Sequence, residues 1–462
     1  MNINDIKTAY FIGIGGIGMS ALARYFHSAG ITVSGYDRSR SVVAQTLENE
    51  GINIFYTEDI THIPKKVDLV VYTPAIPSSH AELTHCRNEN ITLQKRSEVL
   101  GWITKDKFLI AIAGTHGKTS ITTLIAHILQ SSGKNCTALL GGISLNYNSN
   151  FVPGSDNIFV IEADEYDRSF LTLSPDISVI TAMDADHFDV YGDQDTLNKA
   201  FFEFASNTKA GGKLVLNSKV AGIPEFSSIK DRRTFTYSVS ENADFSSEGI
   251  SINLEAGAPS YRFDMYGAFG LIRDLSSTVP GDHSVENCLA AIAVSQLLAV
   301  SGEDIRSALS TFKGIKRRFE FQLQDPSLVY IDDYAHHPKE IAVTLDTAKK
   351  LYPDNKISVV FQPHLYSRTR DLYKAFGESL SKADSVILLD IYPAREAPIE
   401  GVSSEMILSE VRTADKILTS KDQLTGVLEN KNIEVLLTLG AGDIDEMVEP
   451  IKDLFRKRLT KR

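Results

Sequence analysis

The chain has 462 residues, 43% of them hydrophobic and 23% charged, with a formal net charge of −12. That length exceeds one ordinary core and predicts two to four domains of a water-soluble kind, while the acidity argues against wholesale nucleic-acid binding and requires any anionic substrate to find its positive charge in local clefts. Cys86, Cys136 and Cys288 have no metal-like spacing and read as reduced, buried thiols; with no basic leader and no run near the roughly 18 apolar residues of a membrane span, a cytoplasmic protein is expected.

Short apolar runs alternate with amphipathic stretches, the pattern of α/β units on mostly parallel sheets. A strand is predicted from Ala9 to Ile14, then a glycine turn, a helix near Met19 to Ala29 and a strand ending at Asp37. The turn, Gly13-Ile-Gly-Gly-Ile-Gly-Met-Ser20, is a dinucleotide-fold fingerprint, and Asp37 is placed to accept from a ribose-like hydroxyl. NAD, a sugar nucleotide or mere helix packing all remain open for it. After a strand from Asp68 to Tyr72, a strand from Phe108 to Ala113 opens a new unit and runs into Ala113-Gly-Thr-His-Gly-Lys-Thr-Ser120. Backbone amides at a helix N-terminus hold phosphate oxygens, Lys118 reaches the β- and γ-phosphates, and Thr119 ligates magnesium. Ile112 stands where the strict pattern has glycine, so the loop is a variant.

Further strands are predicted from Asn157 to Ile161, Ile177 to Thr181 and Lys213 to Leu216. Val160-Ile-Glu-Ala-Asp-Glu-Tyr-Asp167 ends the first, and its acids suit a hard cation beside a phosphate loop, Glu162 first among them. Met183-Asp-Ala-Asp-His-Phe-Asp189 follows the second, and His187, between carboxylates, reads as a ligand or phosphate contact. A solvated acidic turn and a structural histidine are the plain alternatives. Asp231 to Ser277 alternates polar and apolar residues and reads as a β-rich insertion, followed by helices near Val285 to Val300 and Gly302 to Phe312. A third unit begins near Leu328, with strands at Val329 to Ile331, Ile357 to Phe361, Val386 to Leu389 and Val435 to Thr438. Asp332-Asp-Tyr-Ala-His-His-Pro338 and Phe361-Gln-Pro-His-Leu-Tyr-Ser-Arg-Thr-Arg370 follow its strands, where open α/β sheets place ligands. Their His and Arg clusters suit a carboxylate and phosphate site, with a surface charge cluster as the alternative. Domains are expected over 1–106, 107–320 and 321–462.

Taken in order, GIGGIGMS, AGTHGKTS, EADEYDRSF, DADHFDVYG, VPGDHSVEN, GIKRRFE, DDYAHHPKEI, FQPHLYSRT and DIYPAREAPI resemble the Mur ligases of peptidoglycan synthesis, most specifically their alanine-adding branch. The resemblance spans essentially the whole chain. It implies an α/β fold of three domains: a Rossmann-like UDP-binding domain, a central P-loop-type ATPase domain with a mostly parallel sheet, and a C-terminal Rossmann-like domain. It implies that the carboxylate of UDP-N-acetylmuramate attacks the γ-phosphate of ATP, and that the amine of L-alanine takes the acyl phosphate, with ADP and phosphate released. The partners would be these substrates alone, without nucleic acid or membrane, in a monomer or homodimer.

Roles carry over by position. Gly114, Thr115, His116, Gly117, Lys118, Thr119 and Ser120 would cradle the nucleotide phosphates, with Thr119 and Glu162 on one magnesium (manganese being possible) and His187 on a second. Asn287 and Arg318 would contact adenine or its ribose, with Arg317 an adjacent option, and Asp333 the ribose. Tyr334, His336, His364 and Arg368 would line the amino-acid end, while Gly15, Gly16, Ile17, Gly18 and Asp37 would hold the UDP part. Catalysis would fall to Lys118, Glu162, His187, His336 and Arg368, through positioning and charge neutralisation, since no Ser-His-Asp or reactive-Cys arrangement offers covalent activation. Leu365 stands where many relatives have arginine, which shifts carboxylate binding toward Arg368. Ser284 replaces a common asparagine. Phe201 stands where sister ligases carry a carbamylated lysine, as expected for the alanine-adding branch. The rivals are a tripeptide-recycling muramate ligase, a folylpolyglutamate-synthetase-like ligase, an NAD-dependent oxidoreductase and a non-catalytic nucleotide switch.

Overall fold

In a computed structural model of the chain, the described residues are 2–184, 188–253, 259–394 and 396–460. Three sheets build three α/β domains. The chain divides into two compact units, one comprising Met1–Ile250, Phe263–Ser277 and Asp282–Lys313, the other Ser251–Arg262, Thr278–Gly281 and Gly314–Arg462.

The first sheet is formed by β1 (Thr8–Ile12), β2 (Thr32–Tyr36), β3 (Asn53–Phe55), β4 (Leu69–Tyr72) and β5 (Leu93–Lys95), in the order β3-β2-β1-β4-β5. All its pairings are parallel. Apolar β1 and β4, sandwiched between helices, are buried on both faces, as central parallel strands are. The strand order reverses between β1 and β4, which opens a crevice beyond their carboxyl ends.

The central sheet holds β6 (Phe108–Ala113), β7 (Thr137–Ser144), β8 (Ser149–Val152), β9 (Ile158–Glu162), β10 (Ile177–Ile180), β11 (Lys213–Asn217), β12 (Arg233–Ser238), β13 (Phe245–Asn253), β14 (Ser260–Gly267) and β15 (Gly270–Ser277). Their order is β15-β14-β13-β12-β11-β10-β6-β9-β7-β8. β6, which ends in the phosphate-loop motif, is thus flanked by the two strands that end in acidic motifs. The stretch from 231 to 277 is β-rich as read, but it is not an insertion apart from the sheet. β12 pairs in parallel with β11 and carries the central sheet outward. Its alternation reflects a sheet covered on one face only. The hairpin β7–β8 escaped the sequence reading, because Gly141 and Gly142 interrupt the apolar pattern.

The third sheet holds β16 (Glu320–Asp325), β17 (Leu328–Asp333), β18 (Ile357–Phe361), β19 (Ser385–Leu388), β20 (Asp415–Leu418) and β21 (Val435–Leu439), in the order β16-β17-β21-β18-β19-β20. Only the edge pair β16–β17 is antiparallel. Edge strands β16 and β20 were missed because they are polar and partly exposed.

Among the described residues, no helix is long and apolar enough to cross a membrane. All three cysteines are buried and free.

One buried acid gives the first domain a pH signature. Glu82 is fully buried, with Tyr10 Oη donating to Oε2 at 3.1 Å and the Asp59 amide to Oε1 at 3.3 Å. Burial pushes its carboxyl from an ordinary 4.5 up to about 7. The folded state therefore binds more protons than the unfolded one between these values, so stability falls as pH rises through that window. The full effect is on the order of 3 kcal/mol. Glu82→Gln cannot ionise and keeps an acceptor for the Asp59 amide. It is expected to melt higher than the parent at pH 8, with an advantage that shrinks toward pH 5. Melting temperatures of both proteins across that range test this, and parallel curves would remove Glu82 as the cause.

Candidate active site

The glycine turn leaves β1 at Gly13 (φ +87°) and enters the helix Ile17–Ser28 with Gly16 as N-cap. No side chain caps that helix, which leaves its first amides available to an anion. Asp37, just past β2, accepts the Gly15 amide on Oδ2 at 2.8 Å and the Ser39 amide on Oδ1 at 3.1 Å. A Cβ on Gly15 would lie 2.8 Å from that Oδ2, so only glycine permits the contact. The acid placed by sequence for a ribose hydroxyl thus also braces the turn. Asp37→Ala is expected to weaken UDP-sugar binding about tenfold, roughly one charge-assisted hydrogen bond, with ATP affinity unchanged. Calorimetric titration of each ligand tests this. A variant that lost NAD affinity and kept UDP-sugar affinity would revive the oxidoreductase reading.

The phosphate loop joins β6 to the helix Lys118–Ser131. Gly117 is its N-cap in the left-handed region, again without a side-chain cap. A Cβ there would meet Asn287 Oδ1 at 2.8 Å, which places Asn287 against the phosphate loop. Thr181, following β10, donates its hydroxyl to the His116 carbonyl. Thr115 Oγ1 accepts the Asp184 amide at 3.1 Å, and His116 Nε2 lies 3.6 Å from Asp184 Oδ2. The loop is therefore shaped by the neighbouring strand end as well as by its own glycines. Thr119 is buried on the first turn of the helix, and Ser120 is part-buried beside it.

Lys118 donates to the Gly114 carbonyl at 2.6 Å and to Glu165 Oε1 at 2.8 Å, with the Glu165 side chain fully buried. Burial alone would push the ammonium down. Glu165, then Glu162 and Asp164, outweigh that and hold it above its ordinary value. It stays charged at any physiological pH. Glu162 is the last residue of β9 and accepts the Gly141 amide on Oε2 at 3.1 Å. A cavity of about 280 Å³ has Gly16, Ile17, Gly18, Arg96, Glu162 and Asp164 among its lining residues, so the glycine turn of the first sheet and the acidic end of β9 face one space.

Two residues here were not singled out by sequence. Glu165 lies inside the acidic run, but nothing local says which acid of a turn meets Lys118. Arg96 carries no motif at all. Thr119 and Glu162 supply oxygen donors, which suit magnesium. Among the described residues no group of three or more His, Cys, Asp or Glu side chains forms a metal cluster. His187 lies outside the described residues.

In the third domain, Asp333 ends β17, accepting the Phe319 amide on Oδ2 at 2.6 Å and the Ala335 amide on Oδ1 at 2.7 Å. Burial raises its carboxyl to about 6 against the opposing pull of Arg318 and these amides. Arg317 donates to Asp332 Oδ2 at 3.0 Å and to the Gly440 carbonyl at 2.6 Å, so it is held by the fold. Arg318 lies over the Tyr334 ring at 5.3 Å. His336 sits 5.3 Å from the Tyr334 ring and 6.3 Å from the His364 ring, and burial lowers its basicity despite nearby Glu340. His364 stacks on Tyr392 at 5.7 Å. Arg368, in the first turn of the helix Tyr366–Leu380, has a buried Nη1 with no hydrogen-bond partner among the described residues. Leu365, at the N-cap, has φ +73°, a conformation a branched side chain adopts only under constraint. The Tyr392 carbonyl holds it by accepting the Leu365 amide at 2.9 Å. The structure thus brings Tyr334, His336 and His364 together. In the central domain, Ser284 is buried with its hydroxyl 3.1 Å from that of Ser277, a packing role, and Phe201 is buried against Phe170.

Comparison with known proteins covers nearly the whole chain. Residues 8–108 match the Mur ligase family catalytic domain, 112–295 the Mur ligase middle domain, and 317–442 the Mur ligase glutamate ligase domain. The chain is 44% identical over 457 residues to the UDP-N-acetylmuramate–L-alanine ligase of Christiangramia forsetii, covering 98% of both chains. It is 45% identical over 456 residues to the enzyme of the same name from Flavobacterium psychrophilum, covering 98% of this chain and 99% of that one. Among solved structures it is similar to the UDP-N-acetylmuramate-alanine ligase of Thermotoga maritima, with a TM-score of 0.83 and 29% identity over 98% of this chain and 99% of that one.

Proposed function

The chain belongs to the Mur ligase family, and on that premise we propose that it joins L-alanine to the carboxylate of UDP-N-acetylmuramate in an ATP-consuming step of peptidoglycan precursor synthesis. One observation carries this reading on the geometric side. A glycine turn built for a diphosphate and an acidic strand end beside a phosphate loop share a single cavity. A sugar nucleotide held at the turn can then present its acid to a nucleotide triphosphate held at Lys118.

The roles follow from charge. A carboxylate is a poor electrophile and must be activated by phosphorylation. The approach of two anions is opposed by their repulsion, so the site must neutralise them. The uncapped amides of the helix Lys118–Ser131 take phosphate oxygens, and Lys118 turns from Glu165 to the β- and γ-phosphates. Thr119 and Glu162 would hold magnesium, and His187 is assigned to a second ion. Such ions, when bound, neutralise charge on the transferring phosphoryl group. Gly15, Gly16, Ile17, Gly18 and Asp37 take the UDP part. Asn287 and Arg318 are assigned to the nucleoside, with Asp333 on its ribose. Arg317, committed to Asp332 and Gly440, is set aside. Tyr334, His336, His364 and Arg368 are assigned to L-alanine. The buried Nη1 of Arg368, which has no acceptor among the described residues, supports a carboxylate partner there, because leaving such a donor unpaired is costly. The domain limits proposed are 1–106, 107–320 and 321–462, and the place of action the cytoplasm.

The test is product formation from ATP and UDP-N-acetylmuramate with L-alanine, L-serine, glycine or the recycled tripeptide, beside an assay for NADH. Preference for L-alanine supports the reading. A product with the tripeptide alone, or hydride transfer without phosphate release, would overturn it.

A further inference from the structure

The cavity shared by the glycine turn and the end of β9 is lined by three charged side chains, Arg96, Glu162 and Asp164. Arg96 is the one cation among its lining residues. It opens the helix Arg96–Ile103 directly after β5, and its side chain is only 16% exposed. It lies across the first turn of the helix Ile17–Ser28, so closely that a Cβ on Gly18 would fall 2.8 Å from Nη1. Nη2 is 3.4 Å from Asp164 Oδ2, long for an arginine–carboxylate contact, which settles near 2.7–2.9 Å. The guanidinium is thus near an acid but not locked onto it.

We propose that Arg96 grips the diphosphate of the sugar nucleotide, exchanging Asp164 for the ligand, and so makes the first domain selective for nucleotide-linked sugars. The assignment rests on the reading that this domain takes a UDP-sugar, and it adds the residue that does the charge recognition. A ligand carrying a diphosphate and a carboxylate enters a cavity that already holds two acids. Without a cation, like-charge repulsion would oppose it. The guanidinium lies beside uncapped helix amides, and the two together surround phosphate oxygens in the way a lone helix terminus does not. Its planar fork can take two of those oxygens at once. The pull of Asp164 has the opposite sign, since it competes with the ligand for the same donor. Gly18 permits the arrangement because any side chain there would push Arg96 away.

The experiment is calorimetric titration of the full chain with UDP, UDP-N-acetylmuramate and ATP. Arg96→Ala is expected to weaken UDP and UDP-N-acetylmuramate alike, on the order of tenfold or more, with ATP unchanged. Arg96→Lys, which keeps the charge, is expected to recover part of the loss and guards against a folding defect. Asp164→Asn keeps the Tyr166 amide bonded to Oδ1 and removes the competitor, so it is expected to bind UDP several-fold more tightly. Unchanged UDP affinity in Arg96→Ala would overturn the proposal. So would a loss confined to UDP-N-acetylmuramate, which would move Arg96 to the sugar carboxylate, or an Asp164→Asn variant as weak as Arg96→Ala, which would make the pair structural. Parent protein that binds no UDP fails the reading of the domain itself, before any variant is compared.

Discussion

Lys118→Ala is expected to lose phosphate release on the order of 10²-fold or more, the typical scale for removing one group that stabilises charge in the transition state. The structure adds a second expectation. Lys118 is the ammonium beside a fully buried Glu165 carboxylate at 2.8 Å. Removing one partner of a buried pair typically costs about 3 kcal/mol or more, because the remaining charge keeps its desolvation penalty. The single variant is therefore expected to melt several degrees lower as well as to be inactive. Adding Glu165→Gln removes the buried negative charge that Lys118 had balanced, so Lys118→Ala with Glu165→Gln is expected to regain part of the melting temperature and none of the turnover. Phosphate release and thermal melting on the four proteins of this cycle separate the two effects. A double variant that recovered activity along with stability would show that Lys118 serves the fold and not the phosphoryl group.

Gly114→Ala is expected to be the more damaging of the two loop-glycine substitutions. Gly114 has φ +134°, and an added Cβ would fall 2.0 Å from Thr181 Oγ1 and 2.9 Å from the amide nitrogens of Thr181 and Ala182. The hydroxyl can rotate, at the loss of its bond to the His116 carbonyl, but two backbone atoms cannot. Backbone strain and overpacking each cost roughly 1–3 kcal/mol. The end of β10 must move off the loop, and with it the Thr115 and His116 contacts to Asp184. Gly117→Ala has a softer obstacle, since at φ +80° its Cβ meets Asn287 Oδ1 at 2.8 Å, and that side chain can swing aside. ATP titration and thermal melting of both variants rank them. Gly117→Ala falling further than Gly114→Ala, or Gly114→Ala binding ATP like the parent, would show that the strand end does not shape the loop.

By itself the sequence determined the chemistry-bearing segments and where they sit. Hydrophobic periodicity and glycine punctuation are local signals, so β1, β6, β10 and β18 are legible within a residue or two, each with its motif just past the carboxyl end. Family resemblance then assigned roles by position. Only the tertiary structure decided which side chains meet. Glu165 meets Lys118, 47 residues away in sequence, because β9 and β10 flank β6 and the turn after β9 reaches the loop. Of the adjacent Arg317 and Arg318, the fold takes the first, since β17 and β21 lie side by side and offer it Asp332 and the Gly440 carbonyl. β12 to β15 join the central sheet because strand pairing, unlike strand propensity, is set by what lies alongside. Arg96 meets Gly18 and Asp164 for the same reason, as three distant segments end at one cavity. Contacts of that kind depend on sheet order and on the burial of charge, and neither leaves a periodic mark in the chain.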